Sequence, residues 1–428
     1  MAVGESIARK EAVDKVTGVA KYSADFIAPG VLRARLVTGT HAHARLMAVD
    51  VAEALAMPGV RAVVTGADTD VLCGEVLSDR PPLARGKVRY FGEPVALVVA
   101  DTERQAAAAA ARVRARYEPL SVVNSPSQGL EPGAVLVHED LGAYKVAQPP
   151  CTPAAGTNLF DHAKVRKGDI GRGRSEAEVW AEVRATAPQM DHAAMETRSV
   201  QVEILPDERV FVTASTQAPF EVQRTLAQLF GLQQGQVVVE VPFIGGAFGG
   251  KAPVQLEILA YLASRAVRGR PVRLTNTREE NIAGSPVGIG LEADVRLGAS
   301  RAGRLTAAEM TFRIDAGAYA DSVPRMARAI ASACTVPYRV DNVRCDVLSV
   351  YTNHVYATAL RGFGCMPMTF AVERAMDRLA DALGMDPLEL RQRNAIAPGD
   401  TTPTRCRLTR SIVGDLPACL GEAARLVD

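Results

Sequence analysis

Two hydrophobic rhythms run along this chain: a period of two, which marks half-buried strands, and a period near 3.6, which marks helices. In residues 30–66, LRARLVTG and HARLMAVD alternate apolar and polar positions, DVAEALAMPGV repeats at helical spacing, and VRAVVTG returns to the strand rhythm. Over residues 87–100, VRYFGEPVALVVA reads as a hairpin turning at Gly92, Glu93 and Pro94. The alanine-rich ERQAAAAAARVRARY that follows has strong helix propensity, and YEPL closes a small α/β unit.

Between residues 124 and 157 proline, glycine and serine rise and periodicity disappears, the composition of a linker crossing a surface. Beyond it, EVWAEVRATAP and SVQVEILPDERVFVTAST suggest a strand pair, the second segment carrying a turn at Pro206 and Asp207. EVQRTLAQLFGL is helical in spacing, with Gly231 as its stop. VVVEVPF leads into GGAFGGKA, and a helix is expected to begin near Val254. Residues 272–275, 290–308 and 342–350, together with EMTFRIDAGAYA, read as strands, while residues 327–337 carry no clear pattern. A second special turn, ALRGFG, precedes the helical MTFAVERAMDRLADALG, and Asp386 and Pro387 open a last helix. The expected fold class is α/β (α+β). The expected division is an N-terminal arm (1–14), a first domain (15–125), a linker (126–157) and a larger domain (158–428).

Charge removes several classes of partner. Forty-nine basic and 48 acidic side chains leave a net charge of +1, so there is no electrostatic case for nucleic acid or an anionic membrane. The N-terminal MAVGESIARKEAVDKVTG is too polar for a secretory signal and no apolar run reaches spanning length, so a cytoplasmic protein without a membrane span is expected. Seven cysteines, odd in number and without a C-x-x-C pair, argue against a disulfide framework, a zinc site or an iron–sulfur cluster held here. The six histidines form no metal constellation either.

The candidate chemistry lies in the two glycine-flanked turns. Gly245, Gly246, Gly249 and Gly250 lack Cβ atoms, so the backbone can take positive φ and bring N–H donors close to an anion or a metal-bound oxo group. Residues 245–251 also fit G-x-x-x-x-G-K, but Ala252 stands where a phosphate loop needs Ser or Thr, and a plain structural turn is a third reading. Arg361, between small residues at a strand-to-helix junction, suits an anion or carbonyl, or a surface ion pair.

KVTGVAKYSADF, AMPGVRAVVTGAD, FGEPVALVVADT, RARYEPL, HAAMET, STQAPFEVQRTLAQLFGL, GGAFGGK, RGFG and LGMDPLELRQRN follow one another in this order. Together they resemble the N-terminal half of the molybdopterin-binding subunit of the xanthine dehydrogenase and aldehyde oxidase family of molybdenum hydroxylases. The resemblance implies a hammerhead-type α/β domain followed by a molybdenum-binding α/β domain. It implies that Gly246, Ala247, Phe248 and Gly249 approach the molybdenum centre through backbone N–H groups, and that Arg361 and Gly362 hold the pterin-bound metal from the other turn. By the same resemblance Gln189 would match a cofactor-contacting glutamine; a one-residue slip in the match would put Met190 there instead. Phe363 would be an aromatic plate over the substrate ring and Arg328 a substrate-orienting arginine.

Departures from the family pattern shape the expectation. Ala252 stands where purine-oxidising relatives carry glutamate, which makes xanthine less expected, and Cys365, Met366 and Pro367 replace the usual Gly-Pro-Gln. Gly362 occupies the position of the cysteine of carbon monoxide oxidising relatives. The family's general base, a glutamate, is expected on a partner subunit, so no catalytic residue and no direct metal ligand are expected in this chain. The implied cofactor is molybdenum–molybdopterin, in its cytosine dinucleotide form, shared with a second molybdopterin-binding subunit. [2Fe-2S] clusters and FAD would sit on further subunits. The expected activity is hydroxylation of a nicotinate-like N-heteroaromatic, a small-molecule substrate. An aldehyde- or purine-oxidising enzyme and a non-catalytic assembly subunit are the alternatives.

Overall fold

The computed structural model describes residues 3–148, 150–335 and 337–427. The chain forms two compact units, and these are not consecutive. Met1–Cys73, Arg80–Leu120 and His192–Ser285 build the first; Gly74–Asp79, Ser121–Asp191 and Pro286–Asp428 build the second. This departs from the serial division into 15–125 and 158–428, because residues 192–285 join the N-terminal strands. Strand Leu32–Thr38 lies parallel to Val272–Thr275, with Leu32 opposite Val272 and Ala34 opposite Leu274, and Val64, Leu97 and Val99 share a core with residues of 256–263.

That pairing completes a seven-stranded sheet in the order Val237–Glu240, Val210–Ala214, Ser199–Ile204, Val272–Thr275, Leu32–Thr38, Pro94–Ala100, Val60–Thr65. Leu32, Ala34, Val200, Val202, Val272 and Leu274 share an apolar core with helix Leu256–Ala266, buried from Leu256 to Ser264. Residues 87–100 do not make the expected hairpin. Lys87–Val88 pairs with Ala44 and Arg45, while Pro94–Ala100 lies between Leu32–Thr38 and Val60–Thr65. Every residue of Pro94–Ala100 is buried, and a continuous apolar run of that kind belongs inside a sheet with both faces covered. The alanine-rich helix also ends sooner than its propensity suggests, at Ala110. Arg114–Pro119 becomes a strand against Ala44–Asp50, since RARYEP alternates outward charges with inward side chains.

In the second unit five strands run in the order Leu159–Lys167, Val343–Val350, Leu305–Asp315, Gly290–Ala299, Val179–Ala187. EVWAEVRATAP therefore pairs with Gly290–Ala299 rather than with Ser199–Ile204, which belongs to the other unit. Strand Leu159–Lys167 has no clear signature in the sequence because its buried positions include Asp161 and Lys167, which break the apolar alternation. One sheet face places Leu291, Ala293, Val295, Met310 and Phe312 in a core with helices Val323–Ala333 and Cys365–Leu383. The other face is charged: Arg313 meets Asp294 at 2.6 Å, and the Arg296 guanidinium lies 4.1 Å from the Trp180 ring centroid.

At the end of strand Leu305–Asp315, Asp315 accepts hydrogen bonds from Thr352 Oγ1 at 2.6 Å, the Gly317 amide at 3.0 Å and His354 Nδ1 at 2.6 Å. The bond to Asp315 raises the His354 pKa above its ordinary 6.5, against the opposing effect of burial. A group whose pKa is raised on folding stabilises fully below its unfolded value and stops doing so as pH rises through the folded one. The melting temperature is therefore expected to fall as pH rises above about 6.5, the ordinary histidine value, and the slope to flatten in His354→Gln. A pH-independent melting temperature in the parent protein would remove this contribution.

Candidate cofactor-binding site

The glycine-rich turn joins strand Val237–Glu240 to helix Leu256–Ala266 in the first unit. Its glycines serve two different needs. Gly246 and Gly249 have φ of 99° and 104°, and between them Phe248, which does carry a Cβ, is held at 53°. Gly245 and Gly250 have no positive φ; they are small because another segment presses on them. A Cβ on Gly245 would lie 2.5 Å from the Glu196 Cβ, and one on Gly250 would lie 2.6 Å from His192 Nδ1. So half of the close approach expected for a ligand is taken up by residues 192–196.

Several amides of the turn have acceptors within the protein. Gly245 donates to Glu196 Oε2 at 2.8 Å, Gly249 to Gln217 Oε1 at 3.0 Å and Gly250 to Ala247 O at 2.8 Å. Among the described residues, no acceptor takes the amides of Gly246 or Ala247, although Ala247 is buried. Buried main-chain donors without acceptors are rare in proteins, and successive N–H groups beside left-handed residues form a concavity that suits an anionic oxygen. This donor set fits the oxygen-rich end of a molybdenum–pterin group. Phe248 is 45% exposed at the edge of the turn.

Lys251 closes the turn but does not reach outward. It is 4% exposed and its Nζ contacts Glu196 Oε2 at 2.7 Å; burial lowers its pKa and the carboxylate opposes that shift. With Lys251 engaged inside and Ala252 lacking a hydroxyl, the phosphate-loop reading fails. Beneath the turn, Arg198 donates to Gly250 O and, at 3.2 Å, to Pro253 O, while Arg80 donates to Val254 O at 3.0 Å. Glu257 lies buried beside them; desolvation raises its pKa, with Arg198 and Arg80 opposing.

The second unit carries the other turn. Gly362, Phe363 and Gly364 have φ of 104°, 50° and 85°, and the bend is tied by Phe363 N to Leu360 O at 2.7 Å and Cys365 N to Gly362 O at 3.0 Å. Arg361 is exposed; Phe363 is half-buried and packs against the core. Burial raises the Cys365 thiol pKa. Gln189 Nε2 donates to Val355 O at 3.0 Å. Its neighbour Met190 lines an apolar cavity of about 230 Å³ with Met326, Leu360, Arg361, Met366 and Phe370. Arg328 stands on helix Val323–Ala333, where its two terminal nitrogens meet Asp161 at 2.8 and 3.2 Å.

The structure thus brings Gly246, Ala247, Phe248, Gly249 and Ala252 into one unit, and Gln189, Arg328, Arg361, Gly362 and Phe363 into the other. Reading the sequence missed Glu196, Ser215, Gln217 and Arg198, which shape the first turn from a distance along the chain. The signals were present: a lone carboxylate in HAAMET and a polar triplet in STQAP. Among the described residues no group of three or more His, Cys, Asp or Glu could hold a metal ion, and no helix is long and apolar enough to cross a membrane.

Residues 17–121 match the a/b hammerhead domain of aldehyde oxidase and xanthine dehydrogenase, and residues 151–395 match the molybdopterin cofactor-binding domain. The chain belongs to the molybdenum hydroxylase family of xanthine dehydrogenase and aldehyde oxidase, as the order of its motifs implied. It is 33% identical to a probable xanthine dehydrogenase subunit of Bacillus subtilis, over 94% of this chain and 52% of the relative. It is 28% identical to the nicotinate dehydrogenase large molybdopterin subunit of Eubacterium barkeri, over 96% of this chain and 93% of that one. In structure it resembles the aldehyde oxidoreductase of Desulfovibrio gigas, with a TM-score of 0.87 and 29% identity over 98% of this chain and 46% of the other. The chain spans about half the length of the Bacillus and Desulfovibrio proteins, whereas the Eubacterium subunit is of matching length.

Proposed function

We propose that the chain is the molybdopterin-binding subunit of a multi-subunit molybdenum hydroxylase acting on an electron-poor carbon of a nicotinate-like N-heteroaromatic, with oxygen derived from water. The observation that carries this reading is the pair of acceptorless amides at Gly246 and Ala247, in a turn where Gly246, Phe248 and Gly249 are left-handed. A relative of nearly the same length that is a nicotinate dehydrogenase subunit supports the substrate class and the division of the enzyme among subunits.

When bound, the molybdenum–pterin group, in its cytosine dinucleotide form, supplies two-electron oxidation of the substrate carbon. The amides of Gly246, Ala247, Phe248 and Gly249 line the approach to it, the first two offering donors to its anionic oxygens without side-chain reorganisation. Arg361, on the turn with Gly362, adds a permanently charged planar donor, and Gln189, its amide oriented by Val355 O, adds a neutral one. Phe363, Arg328 and Ala252 are the proposed substrate contacts, and Arg328 is held by Asp161. The Ala252 methyl offers no polar partner, which favours a simple azine ring over a purine. A glutamate on a second molybdopterin-binding subunit is the proposed general base. Iron–sulfur and FAD subunits are the proposed electron exit.

Metal and pterin analysis of the purified complex, with turnover of nicotinate compared with a simple aldehyde, tests this reading. Preferred aldehyde turnover would move it to the chemistry named for the Desulfovibrio enzyme, and stable association without metal would make the chain an assembly subunit. Arg361→Ala is expected to leave the fold soluble while lowering molybdenum content or turnover about tenfold to a hundredfold, the scale of losing a residue that supports a bound metal group. Full activity in that variant would take Arg361 out of the site.

A further inference from the structure

We propose that Glu196 and Lys251 are positioning residues: an ion-paired latch, outside the cofactor-contacting set, that fixes the direction of the main-chain donors at Gly246 and Ala247. Three donors converge on a single oxygen of Glu196. Gly245 N lies 2.8 Å, Ser215 Oγ 2.7 Å and Lys251 Nζ 2.7 Å from Oε2, while buried Oε1 has no hydrogen-bond partner. The main chain adds a return bond, Glu196 N to Gly245 O at 3.0 Å. One carboxylate oxygen therefore grips the first residue of the turn through its amide and the last lysine through its ammonium, so the arc between them is closed at both ends.

The chemistry of the pair suits this task. A carboxylate gathers several donors on one oxygen, which a neutral acceptor does more weakly. Lys251 lies almost wholly out of solvent, and a buried ammonium deprived of its partner carries a heavy desolvation cost, so the two ends of the latch are mutually dependent. The arc it encloses contains Phe248 at a φ of 53°, a conformation a bulky residue keeps only when its surroundings dictate it. Carbonyls of the same turn are held by other groups: Lys251 O accepts from Gln217 N at 2.9 Å and from Thr216 Oγ1 at 3.2 Å. The latch sets where the turn begins and ends; these bonds fix its level against residues 215–217.

Amide hydrogen exchange and metal content of the full chain, purified with its copurifying subunits, test the latch in Glu196→Gln, Lys251→Met and the double variant. In Glu196→Gln the side-chain carbonyl oxygen can keep the amide and hydroxyl donors while the charge is lost. Each single variant is expected to speed exchange at amides 245–250 about tenfold relative to the rest of the unit, with molybdenum content falling alongside. The neutral double variant is expected to return exchange to within about threefold of the parent, as two coupled residues do. Unchanged exchange in the singles, or a double variant as open as the worse single, would overturn the proposal, since a filler role predicts additive loss. Should a single variant fail to fold, Ser215→Ala, which removes one neutral donor from the same oxygen, is expected to raise exchange about threefold at these amides. No change there would equally overturn the latch. The metal arm rests on the function proposed above and the exchange arm does not. Faster exchange in a complex that never held molybdenum would end the function and spare the latch; unmoved exchange in a molybdenum-loaded complex would do the reverse.

Discussion

Gly250→Ala is expected to lower the molybdenum content of the complex more than about tenfold, through an overpacking cost of about 1–3 kcal/mol placed on the glycine-rich turn proposed above to face the cofactor. The added methyl would sit 2.6 Å from His192 Nδ1 and 2.7 Å from its Cγ, so the whole ring must move rather than a flexible tip. Because φ at Gly250 is not positive, the effect is one of space and not of backbone conformation. Gly235→Ala is the matched control, since a Cβ there meets nothing within 4 Å and metal content is expected to stay at the parent level. Equal metal in the two variants would mean that the contact between residues 192 and 250 does not shape the turn.

The second large effect is expected at Asp161, which is fully buried and faces the Arg328 guanidinium at two points. Removing one partner of a buried pair leaves an uncompensated charge and costs about 3–5 kcal/mol; with Arg328 a third exposed, Asp161→Ala belongs at the lower end of that range. Asp161 also accepts from the Thr152 amide at 3.3 Å, and its charge joins desolvation in pushing the nearby Cys151 thiol up to about 12. Urea unfolding of Asp161→Ala, Arg328→Met and the double variant measures the coupling. A double variant more stable than Asp161→Ala alone identifies the orphaned guanidinium as the source of the loss. A change below about 1 kcal/mol in Asp161→Ala would show that water already relieves the pair.

The parts of this protein that could be read from sequence are those governed by local rules. Gly231 ends its helix with φ of 69°, Asp386 caps the helix that Pro387 opens, and strands with clean alternation fall where their patterns place them. The failures occur where tertiary partners decide. Pro94–Ala100 abandons its neighbour Lys87–Val88 because a fully apolar strand finds cover deep in a sheet, and RARYEP leaves the helix because Ala44–Asp50 needs an edge partner. The family and both turns were legible because motif order survives without knowledge of contacts. Glu196 was not: a carboxylate that grips an amide and a lysine some 50 residues downstream leaves no periodic trace. Nor was it legible that two of the four glycines are small for the sake of protein packing, since steric need and conformational need look alike in one-letter code.

The pairing of Leu32–Thr38 with Val272–Thr275 has a consequence for biosynthesis. On the ribosome, Leu32 and Ala34 emerge long before the strand that covers their outer flank, a delay on the order of tens of seconds at ordinary translation rates. Until then the nascent sheet ends in an unprotected row of amides and carbonyls, the kind of border that recruits other chains. A gene fragment cut at the linker near residue 125 keeps that border permanently, so the hammerhead segment is expected to be prone to aggregate when produced alone, however well its own helices and turns are encoded.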